Sequence, residues 1–249
     1  MRLARRMLVC GAGASTPPDI ETAYLQWNAS NSYGYAPDAL TGLATYTLAV
    51  KVTDWANVGD GVYGALLETY DATATALNGS NNVILTAVQT TASLYMRGAK
   101  SDGSTNWSTG TPSSFTAGVP KIVAITRTPA ALKVRVISGG AVEYVVTAAP
   151  AVARDALHAA FGMRLDHAHG IAVPSQPGSA KQVAALVAAA DVPDAQLIAW
   201  LAALTARGVV TGLTSYWPSS TAVGTTIPDN VGSHPATLVN TSSAALVPL

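Results

Sequence analysis

Two histidines separated by one residue, His167 and His169, are the first candidates for chemistry in this sequence. In a β-strand they would lie on the same face, where two imidazoles can bind one metal ion. His158 or Asp155 could supply a third ligand, but a structural metal site normally has four. The alternative is a polar strand end whose side chains hydrogen-bond to neighbouring groups. We favour that alternative, and we expect no metal and no cofactor.

The second candidate is an aromatic residue with polar neighbours. Gly98–Gly118 is rich in polar and turn-forming residues, which predicts a long loop. A neutral glycan stacks on an aromatic face and hydrogen-bonds to amides and carboxylates. The sequence therefore offers a candidate carbohydrate-binding site, although Trp107 could instead close the edge of the hydrophobic core. The residues of this site are Trp107, Asn106, Asp102 and Tyr95.

The third candidate is Asp229, which lies in the glycine-containing segment Ile227–Gly232. A carboxylate in such a loop could coordinate calcium. The alternative is an aspartate that accepts hydrogen bonds from its own turn, and the neighbouring Asn230 and Gly232 favour it. We prefer the turn interpretation.

The sequence contains no pattern that predicts catalysis. A glycosidase needs two carboxyl groups that face each other across the sugar, whereas the acidic residues here are scattered singly. The P-loop, nucleophile-elbow, dinucleotide-binding and paired-cysteine motifs are absent from the sequence. We therefore expect no enzymatic activity, with spatial pairing of remote carboxylates as the open alternative. The scattered acidic residues are Glu68, Asp71, Asp102, Glu143, Asp155, Asp166, Asp191, Asp194 and Asp229.

Composition limits the kinds of partner. The chain has 249 residues, which suits one large β domain or two small ones. Its 14 basic and 14 acidic side chains cancel, so the basic excess typical of nucleic-acid-binding proteins is missing. No segment approaches the roughly 20 apolar residues of a membrane-spanning helix. Because zero net charge favours association, we expect an assembled protein.

The N-terminus resembles an export signal without matching one. A basic start is followed by the apolar stretch Met7–Ala14, but Gly11 and Gly13 interrupt it. Cys10 is the single cysteine of the chain, which excludes an intrachain disulfide framework. We expect no export by this segment, and we expect residues 1–20 to form an arm over the domain or over a neighbour.

Alternating apolar and polar residues predict that most of the chain forms β-strands. Thr45–Thr53 alternates over its whole length, and Lys121–Arg127 joins the hairpin that follows it in a three-stranded meander. In that hairpin Ser138–Gly140 is expected to form a three-residue loop, which would place Arg135 opposite Glu143. Further strands are predicted at residues 62–70, 82–88, 93–97, 161–166 and 182–189.

One helix is predicted, at Ala195–Ala206. Asp191 is expected to cap its start, with Pro193 and Asp194 in the first turn, and Gly208 is expected to follow its end. Leucine and isoleucine at helical spacing form one apolar stripe. We expect this helix to lie across an end of the β structure.

Four segments make residues 40–240 similar to the concanavalin A-like, or laminin G-like, jelly-roll family. They are the strand Thr45–Trp55, KIVAITRTPAALKVRVISGG, VPDAQLIAWLAAL and YWPSS…GTTIPDNVGSHPATL. The resemblance implies an all-β fold: an antiparallel two-sheet jelly-roll sandwich with one short helix near the C-terminus. Residues 21–240 would form the sandwich, and residues 241–249 a C-terminal tail. Glycanases of this fold carry carboxylates in a Glu-x-Asp-x-Glu pattern, which this sequence lacks.

The resemblance implies a function in binding or in assembly, because such modules occur in bacteriophage virions and in carbohydrate-binding proteins. We expect a non-enzymatic structural or adhesion component of a virion, in the tail, the baseplate or the head decoration. It would assemble in the bacterial cytoplasm, contact copies of itself and other virion proteins, and bind host surface polysaccharide. The alternatives are a stand-alone lectin-like protein and, less favoured, a glycan hydrolase. Neither nucleic-acid binding nor membrane insertion is expected.

Overall fold

A computed structural model shows two eight-stranded antiparallel sheets, a two-stranded ribbon and one α-helix. These elements confirm the expected all-β sandwich with a short helix near the C-terminus. Within the described ranges, no helix has the length and apolar character needed to cross a membrane. The structure describes residues 19–27, 32–57, 63–71, 83–88, 93–99, 105–112, 119–148, 157–162, 164–166, 173–175 and 178–249.

The strands fall into two sheets, A and B, and a ribbon. Sheet A contains β1 (Ala23–Gln26), β3 (Tyr46–Asn57), β8 (Lys121–Arg127), β9 (Leu132–Ser138), β10 (Ala141–Ala148), β14 (Gly178–Ala188), β15 (Leu213–Pro218) and β18 (Leu246–Pro248). Sheet B contains β2 (Tyr33–Ala36), β4 (Tyr63–Asp71), β5 (Val83–Val88), β6 (Ser93–Ala99), β7 (Thr105–Pro112), β11 (Leu157–Phe161), β16 (Thr226–Ile227) and β17 (Ala236–Val239). The ribbon pairs β12 (Arg164–Asp166) with β13 (Val173–Ser175).

The order of the strands gives the topology of each sheet. Sheet A runs β10-β9-β8-β3-β14-β1-β18, and β15 also pairs with β14. Sheet B runs β16-β17-β2-β11-β4-β5-β6-β7. The predicted meander of β8, β9 and β10 is therefore confirmed, and it forms one side of sheet A.

The main core lies between the two sheets. Along β3, Leu48, Val50 and Val52 all enter this core, as the two-residue period of a strand requires. Phe161 of sheet B meets Trp217 of sheet A with ring centroids 5.4 Å apart. Burying each such side chain stabilises the fold by about 1.5–3 kcal/mol, so the contact between the sheets is the main source of stability.

A second core covers the opposite, outer face of sheet A. The helix α1 (Asp194–Ala202) lies on this face, where its buried Leu197 and Trp200 join the same apolar cluster as Ile122 and Leu186. We expected the helix to cross an end of the sandwich, and that expectation was wrong. The helix packs on the outer face of sheet A because that face carries large apolar side chains, whose removal from water is favourable.

The start of the helix is held by ion pairs instead of by a capping side chain. The Arg135 guanidinium is almost fully buried and donates to the Asp194 carboxylate at 2.7 Å. Asp191, the predicted cap, accepts a hydrogen bond from Lys133 Nζ at 2.6 Å. Pro193 occupies the position before the helix and makes no side-chain cap. The capping prediction was wrong because the cations of β9 bind both carboxylates.

A buried hydrogen-bonded network lies near the other end of the helix. Glu21 Oε2 accepts from Lys51 Nζ at 2.8 Å, and Glu21 Oε1 accepts from Trp200 Nε1 at 2.8 Å and from Tyr216 Oη at 2.7 Å. Glu21 is 1% exposed and Lys51 is 7% exposed. Burial, and after it the Glu21 carboxylate, raises the pKa of Tyr216 well above its ordinary value. Tyr216 therefore remains a hydrogen-bond donor.

The same lysine explains where the helix ends. Lys51 Nζ donates to the main-chain oxygens of Trp200 at 3.2 Å and of Ala203 at 2.7 Å. The last carbonyl groups of a helix lack the regular intrahelical donors, and Trp200 O also accepts from the Ala203 main-chain nitrogen at 3.1 Å. The helix therefore ends at Ala202 and not at the predicted Ala206, since Ala203 already has an extended backbone.

The hairpin of β9 and β10 differs in register from the prediction. Its loop is Gly139–Gly140, and both glycines have positive φ (57° and 83°), which glycine adopts at low cost. An irregularity in β10 then places Arg135 opposite Val145. The predicted pair of Arg135 and Glu143 was wrong. Glu143 instead binds Lys121 Nζ at 2.9 Å.

The described ends of the chain lie side by side at one edge of sheet A. β18 pairs with β1, and Leu249 N donates to Thr22 O at 3.0 Å. Within residues 241–249, the expected C-terminal tail, Leu246–Pro248 forms the edge strand β18. Residues 1–18 of the expected N-terminal arm lie outside the described residues.

Candidate functional site

The outer face of sheet B is the first place to look for a binding site, because the helix occupies the outer face of sheet A. Tyr35 of β2 and Glu68 of β4 both stand opposite Ala160 of β11. The neighbours of Ala160 along its strand, Ala159 and Phe161, belong to the core between the sheets. Ala160 and its two partners therefore lie on the outer face.

The strand register extends this row across the sheet. Glu68 pairs with Ile84, Ile84 with Arg97, and Arg97 with Trp107. Residues that stand opposite one another in a ladder share a face, and Tyr95 lies two positions before Arg97 on the same strand. Two of the predicted site residues therefore belong to the outer face. The "outer row" comprises Tyr35, Ala160, Glu68, Ile84, Arg97 and Trp107.

The other two predicted site residues are placed differently. Asn106 stands opposite Gly98, and the two-residue period assigns it to the other face of the sheet. Asp102 lies outside the described residues. The loop predicted over residues 98–118 was wrong in part, because Thr105–Pro112 forms β7 and pairs with β6. The carbohydrate-binding site itself stays a prediction.

Two tyrosines lie on the outer face of β2, the strand between β17 and β11. Tyr33 and Tyr35 lie on the same side of β2, with ring centroids 6.2 Å apart and ring planes inclined at 32°. Burial, and after it the neighbouring Tyr35, raises the pKa of Tyr33, so its hydroxyl stays protonated. Tyr33 is 7% exposed and forms a small apolar cluster with Ala160, whereas Tyr35 is only partly buried. Tyr35 is therefore the ring of this pair that can offer an apolar surface and a hydroxyl group to a sugar. This pair was not predicted, although Tyr33-Gly34-Tyr35 has the spacing of one strand face.

A buried carboxylate stands in the middle of the outer row. Glu68 is fully buried and is engaged by neighbouring groups, as a charge removed from water requires. Among the residues of this face whose side chains are described, it is the single carboxylate. Two facing carboxyl groups, the arrangement that glycoside hydrolysis needs, are therefore not found in that part of the face.

The metal-binding candidates are only partly described. His167, His169 and Asp155 lie outside the described residues. His158 is described, and its Nδ1 accepts a hydrogen bond from the main-chain nitrogen of Asp38 at 2.7 Å, which occupies the lone pair that a metal would need. The described residues contain no group of three histidine, cysteine or acidic side chains that could hold a metal ion.

Asp229 holds the loop that contains it, as the turn interpretation expects. Its Oδ1 accepts hydrogen bonds from the main-chain nitrogens of Tyr216, Val231 and Gly232 at 2.9–3.0 Å. Its Oδ2 accepts from the main-chain nitrogen of His234 at 3.1 Å. Four N–H donors converge on this carboxylate, so its negative charge is satisfied by the main chain.

Replacing Asp229 with alanine is expected to lower the free energy of unfolding by about 2–3 kcal/mol, since a hydrogen bond to a charged group is worth about 1.5–3 kcal/mol. Urea denaturation measures this change. The matched control, Val231→Ala in the same loop, is exposed and should change stability by less than about 0.5 kcal/mol. Calcium should leave the unfolding midpoint of the unaltered protein unchanged. A midpoint that rises with calcium would contradict the turn interpretation.

A serine, a histidine and an aspartate also approach one another here, but not as a catalytic triad. Ser215 Oγ lies 3.5 Å from His234 Nδ1. Asp229 bonds to the main chain of His234 and not to its ring, so Asp229 does not orient the imidazole as the third member of a triad would. Ser215 is fully buried, which removes it from any substrate. This cluster is structural.

The fold defines the protein as a jelly-roll β-sandwich whose outer helix is packed on one sheet. No protein-family model matches the sequence, and no curated protein matches it significantly. Among solved structures, it is similar to the full-length tailspike protein 2 from Escherichia coli O157:H7 bacteriophage CAB120. The TM-score is 0.56 at 15% identity over 82% of this chain and 28% of the tailspike chain.

Two further structures show the same likeness. One is the enzymatically active domain of a bacteriophage tailspike protein 2, with a TM-score of 0.52 and 14% identity over 80% of this chain and 30% of that chain. The other is a putative carbohydrate binding protein from Bacteroides ovatus, with a TM-score of 0.54 and 14% identity over 92% of this chain and 60% of that chain. At such identities the likeness establishes the fold. The chain spans less than a third of the tailspike chain.

Proposed function

We propose that this protein is a non-enzymatic carbohydrate-binding module of a bacteriophage virion component, and that it binds glycan on the outer face of sheet B. The observation that carries the proposal is the register of β6 and β7, which places Tyr95 and Trp107 on the same face of sheet B as diagonal neighbours. Adjacent aromatic residues on one strand face suit the binding of a sugar. The tailspike and carbohydrate-binding structures that share the fold support this class of function.

The position of the described chain ends supports a binding module that is attached at one side. Both ends lie at the edge formed by β1 and β18. Tyr95 and Trp107 lie on β6 and β7, at the other side of the sandwich, where β7 packs beside β10. A module attached through its chain ends would therefore present Tyr95 and Trp107 away from the body that carries it.

The absence of catalysis is part of the proposal. Three of the described carboxylates are held in ion pairs within the chain: Glu21 binds Lys51, Glu143 binds Lys121, and Asp194 binds Arg135. A stand-alone lectin-like protein would bind glycan on the same face. The two alternatives differ in whether the module belongs to a virion component or acts alone.

Trp107→Ala is expected to weaken glycan binding at least tenfold, which corresponds to about 1.4 kcal/mol, because the variant loses the aromatic stacking surface. The measurement is binding to immobilised bacterial surface polysaccharide, and then adsorption to host cells. Tyr24→Ala is the matched control, since Tyr24 is a partly exposed aromatic residue on sheet A, where it lies under Lys181 Nζ. This control should bind normally.

Each alternative has its own outcome in the same experiment. If Trp107→Ala and Tyr24→Ala bind equally well to a polysaccharide that the unaltered protein binds, the outer row is not the site. If the unaltered protein releases reducing sugar ends from the polysaccharide, the protein is a hydrolase and the non-enzymatic proposal fails. Unchanged circular dichroism spectra of both variants are required for either conclusion.

A further inference from the structure

The edge strands of the two sheets differ in how well they are protected against pairing with another chain. The ends of sheet A are β10 and β18, and those of sheet B are β16 and β7. An edge strand presents main-chain N–H and C=O groups to its surroundings, and short length, proline and irregular pairing protect it. β18 has three residues and ends with Pro248, and β16 has two. β7 contains Gly110, ends with Pro112 and pairs irregularly with β6.

β10 has fewer of these protections. It has eight residues, without glycine or proline, and Glu143 is its single charged residue. Its pairing with β9 is irregular between Val142 and Tyr144 and regular from Tyr144 onward. We call Tyr144–Ala148, with the sequence Tyr-Val-Val-Thr-Ala, the "edge segment". Four of its five residues are aromatic or β-branched, which are the residue types that favour strands.

The edge segment can bind an extended chain through its main chain. Among the strands that the structure describes, β10 pairs with β9 alone. Its neighbour β7 belongs to sheet B and pairs with β6. Alternate residues of an antiparallel strand direct their main-chain groups to one side, and the residues between them to the other. Because Val145 is 50% exposed and Thr147 is also exposed, the segment offers a partner strand both hydrogen bonds and apolar surface.

We propose that the edge segment pairs with the edge segment of a second copy of this chain, antiparallel about a two-fold axis. The pairing joins sheet A of one copy to sheet A of the other. Antiparallel pairing of these five residues places Val146 at the axis, opposite its own copy. It also places Val145 opposite Thr147 of the partner subunit.

The charges of the chain favour a second copy as the partner. No charged residue lies within the edge segment, so the pairing brings no like charges opposite each other. Glu143 lies outside the segment and binds Lys121 Nζ at 2.9 Å. The 14 basic and 14 acidic side chains of the chain cancel, so two copies do not repel each other through net charge.

The shape of the other edges favours the same partner. A two-fold pairing of β10 with β10 closes after two copies. Pairing of β10 with a different edge would continue from copy to copy, and the strands at those edges are short or irregular. The symmetric dimer therefore uses the longest regular edge that the described strands offer to another copy.

Val145→Lys is expected to raise the dissociation constant of the dimer by about tenfold or more, because a lysine on an edge strand opposes the addition of another strand. Sedimentation equilibrium over a range of protein concentrations measures this constant. Val223→Lys is the matched control, since Val223 is 72% exposed and lies before β16, in the other sheet. This control should dimerise like the unaltered protein. Thr147→Lys, a second variant of the edge segment, should weaken the dimer as Val145→Lys does.

Three results of the same measurement would overturn the proposal. One is an unaltered protein that sediments as a monomer at every concentration. Another is a dimer that the lysine variants of β10 leave intact, or that Val223→Lys weakens equally, while the circular dichroism spectra and urea midpoints of all variants stay normal. The third is a series of assemblies larger than a dimer, which would mean that β10 pairs with a different strand of the second copy.

Cysteine variants test the register of the pairing. With Cys10 replaced by serine, Val145→Cys and Thr147→Cys are oxidised separately and as a mixture, with one of them isotope-labelled. The mixture should form the disulfide between two copies about tenfold faster than either variant alone, because residues 145 and 147 stand opposite each other at a distance that a disulfide can span. Intact mass spectrometry measures the product. A mixture that reacts no faster than the single variants would contradict the antiparallel pairing.

Discussion

Replacing Glu21 with alanine is expected to lower the free energy of unfolding by about 3–5 kcal/mol. The substitution leaves the buried Lys51 ammonium without its counter-ion, and Trp200 Nε1 and Tyr216 Oη without their acceptor. Each unmade buried hydrogen bond adds to the cost of the unpaired charge. Urea denaturation followed by circular dichroism measures the change.

Two further variants distinguish the effect of losing the buried ion pair from a general effect of mutating residues near Glu21. Asp19→Ala removes a neighbouring acid whose Arg207 partner is about half exposed, and it should cost less than about 1 kcal/mol. The double variant Glu21→Leu with Lys51→Met removes both charges, and it should recover at least half of the loss, because a buried ion pair can be replaced by apolar groups. A double variant as unstable as Glu21→Ala would contradict the ion-pair explanation.

Replacing Trp200 with alanine is expected to cost about 3–5 kcal/mol, the range for a fully buried large aromatic residue. Trp200 fills the second core between the helix and sheet A and also donates to Glu21. The loss should appear as one cooperative transition, because both cores share the strands of sheet A. Differential scanning calorimetry measures the change in the unfolding midpoint.

The control for this variant is Leu204→Ala. Leu204 follows the same helix but is 61% exposed, so its truncation should change stability by less than about 0.5 kcal/mol. If Trp200→Ala unfolds in two steps, with the β-sandwich intact after the first, then the helix is an appendage and the second core does not stabilise the domain.

The architecture could be predicted from periodicity, because a strand with one buried face alternates visibly. Thr45–Thr53 shows that alternation, and the meander of β8, β9 and β10 was found where it was expected. The packing position of the helix was missed, although a signal for it exists. All seven residues of β8, Lys-Ile-Val-Ala-Ile-Thr-Arg, are buried, and a strand without alternation is typically covered on both faces.

The polar contacts could not be predicted, because their partners are remote in sequence. Glu21 meets Lys51, 30 positions away, and Trp200, 179 positions away. The hairpin pair of Arg135 and Glu143 is the instructive error. The local register of the hairpin predicted that pair. In the structure, Arg135 forms an ion pair with Asp194 of the helix. An irregularity in β10 also shifts the register, so that Glu143 no longer stands opposite Arg135. A one-residue irregularity is enough to change the face of every later residue in a strand.

The candidate site shows the same division between local and remote information. Trp107 and Tyr95 are apparent in the sequence as aromatic residues among polar ones, but their common face follows from the register of β6 and β7. Tyr33 and Tyr35 reach this face from a strand far away in sequence. A binding surface that several strands form together cannot be predicted from one segment of the sequence.

The pairing of the first and last described strands also has a mechanical consequence. β1 and β18 are antiparallel neighbours, and Thr22 and Leu249 lie at the same end of the pair. A force that pulls these two ends apart breaks the interstrand hydrogen bonds one after another and does not load them all at once. The C-terminal strand would therefore peel away first under tension. The N-terminal side would hold longer, because Glu21 is anchored in the interior by Lys51, Trp200 and Tyr216.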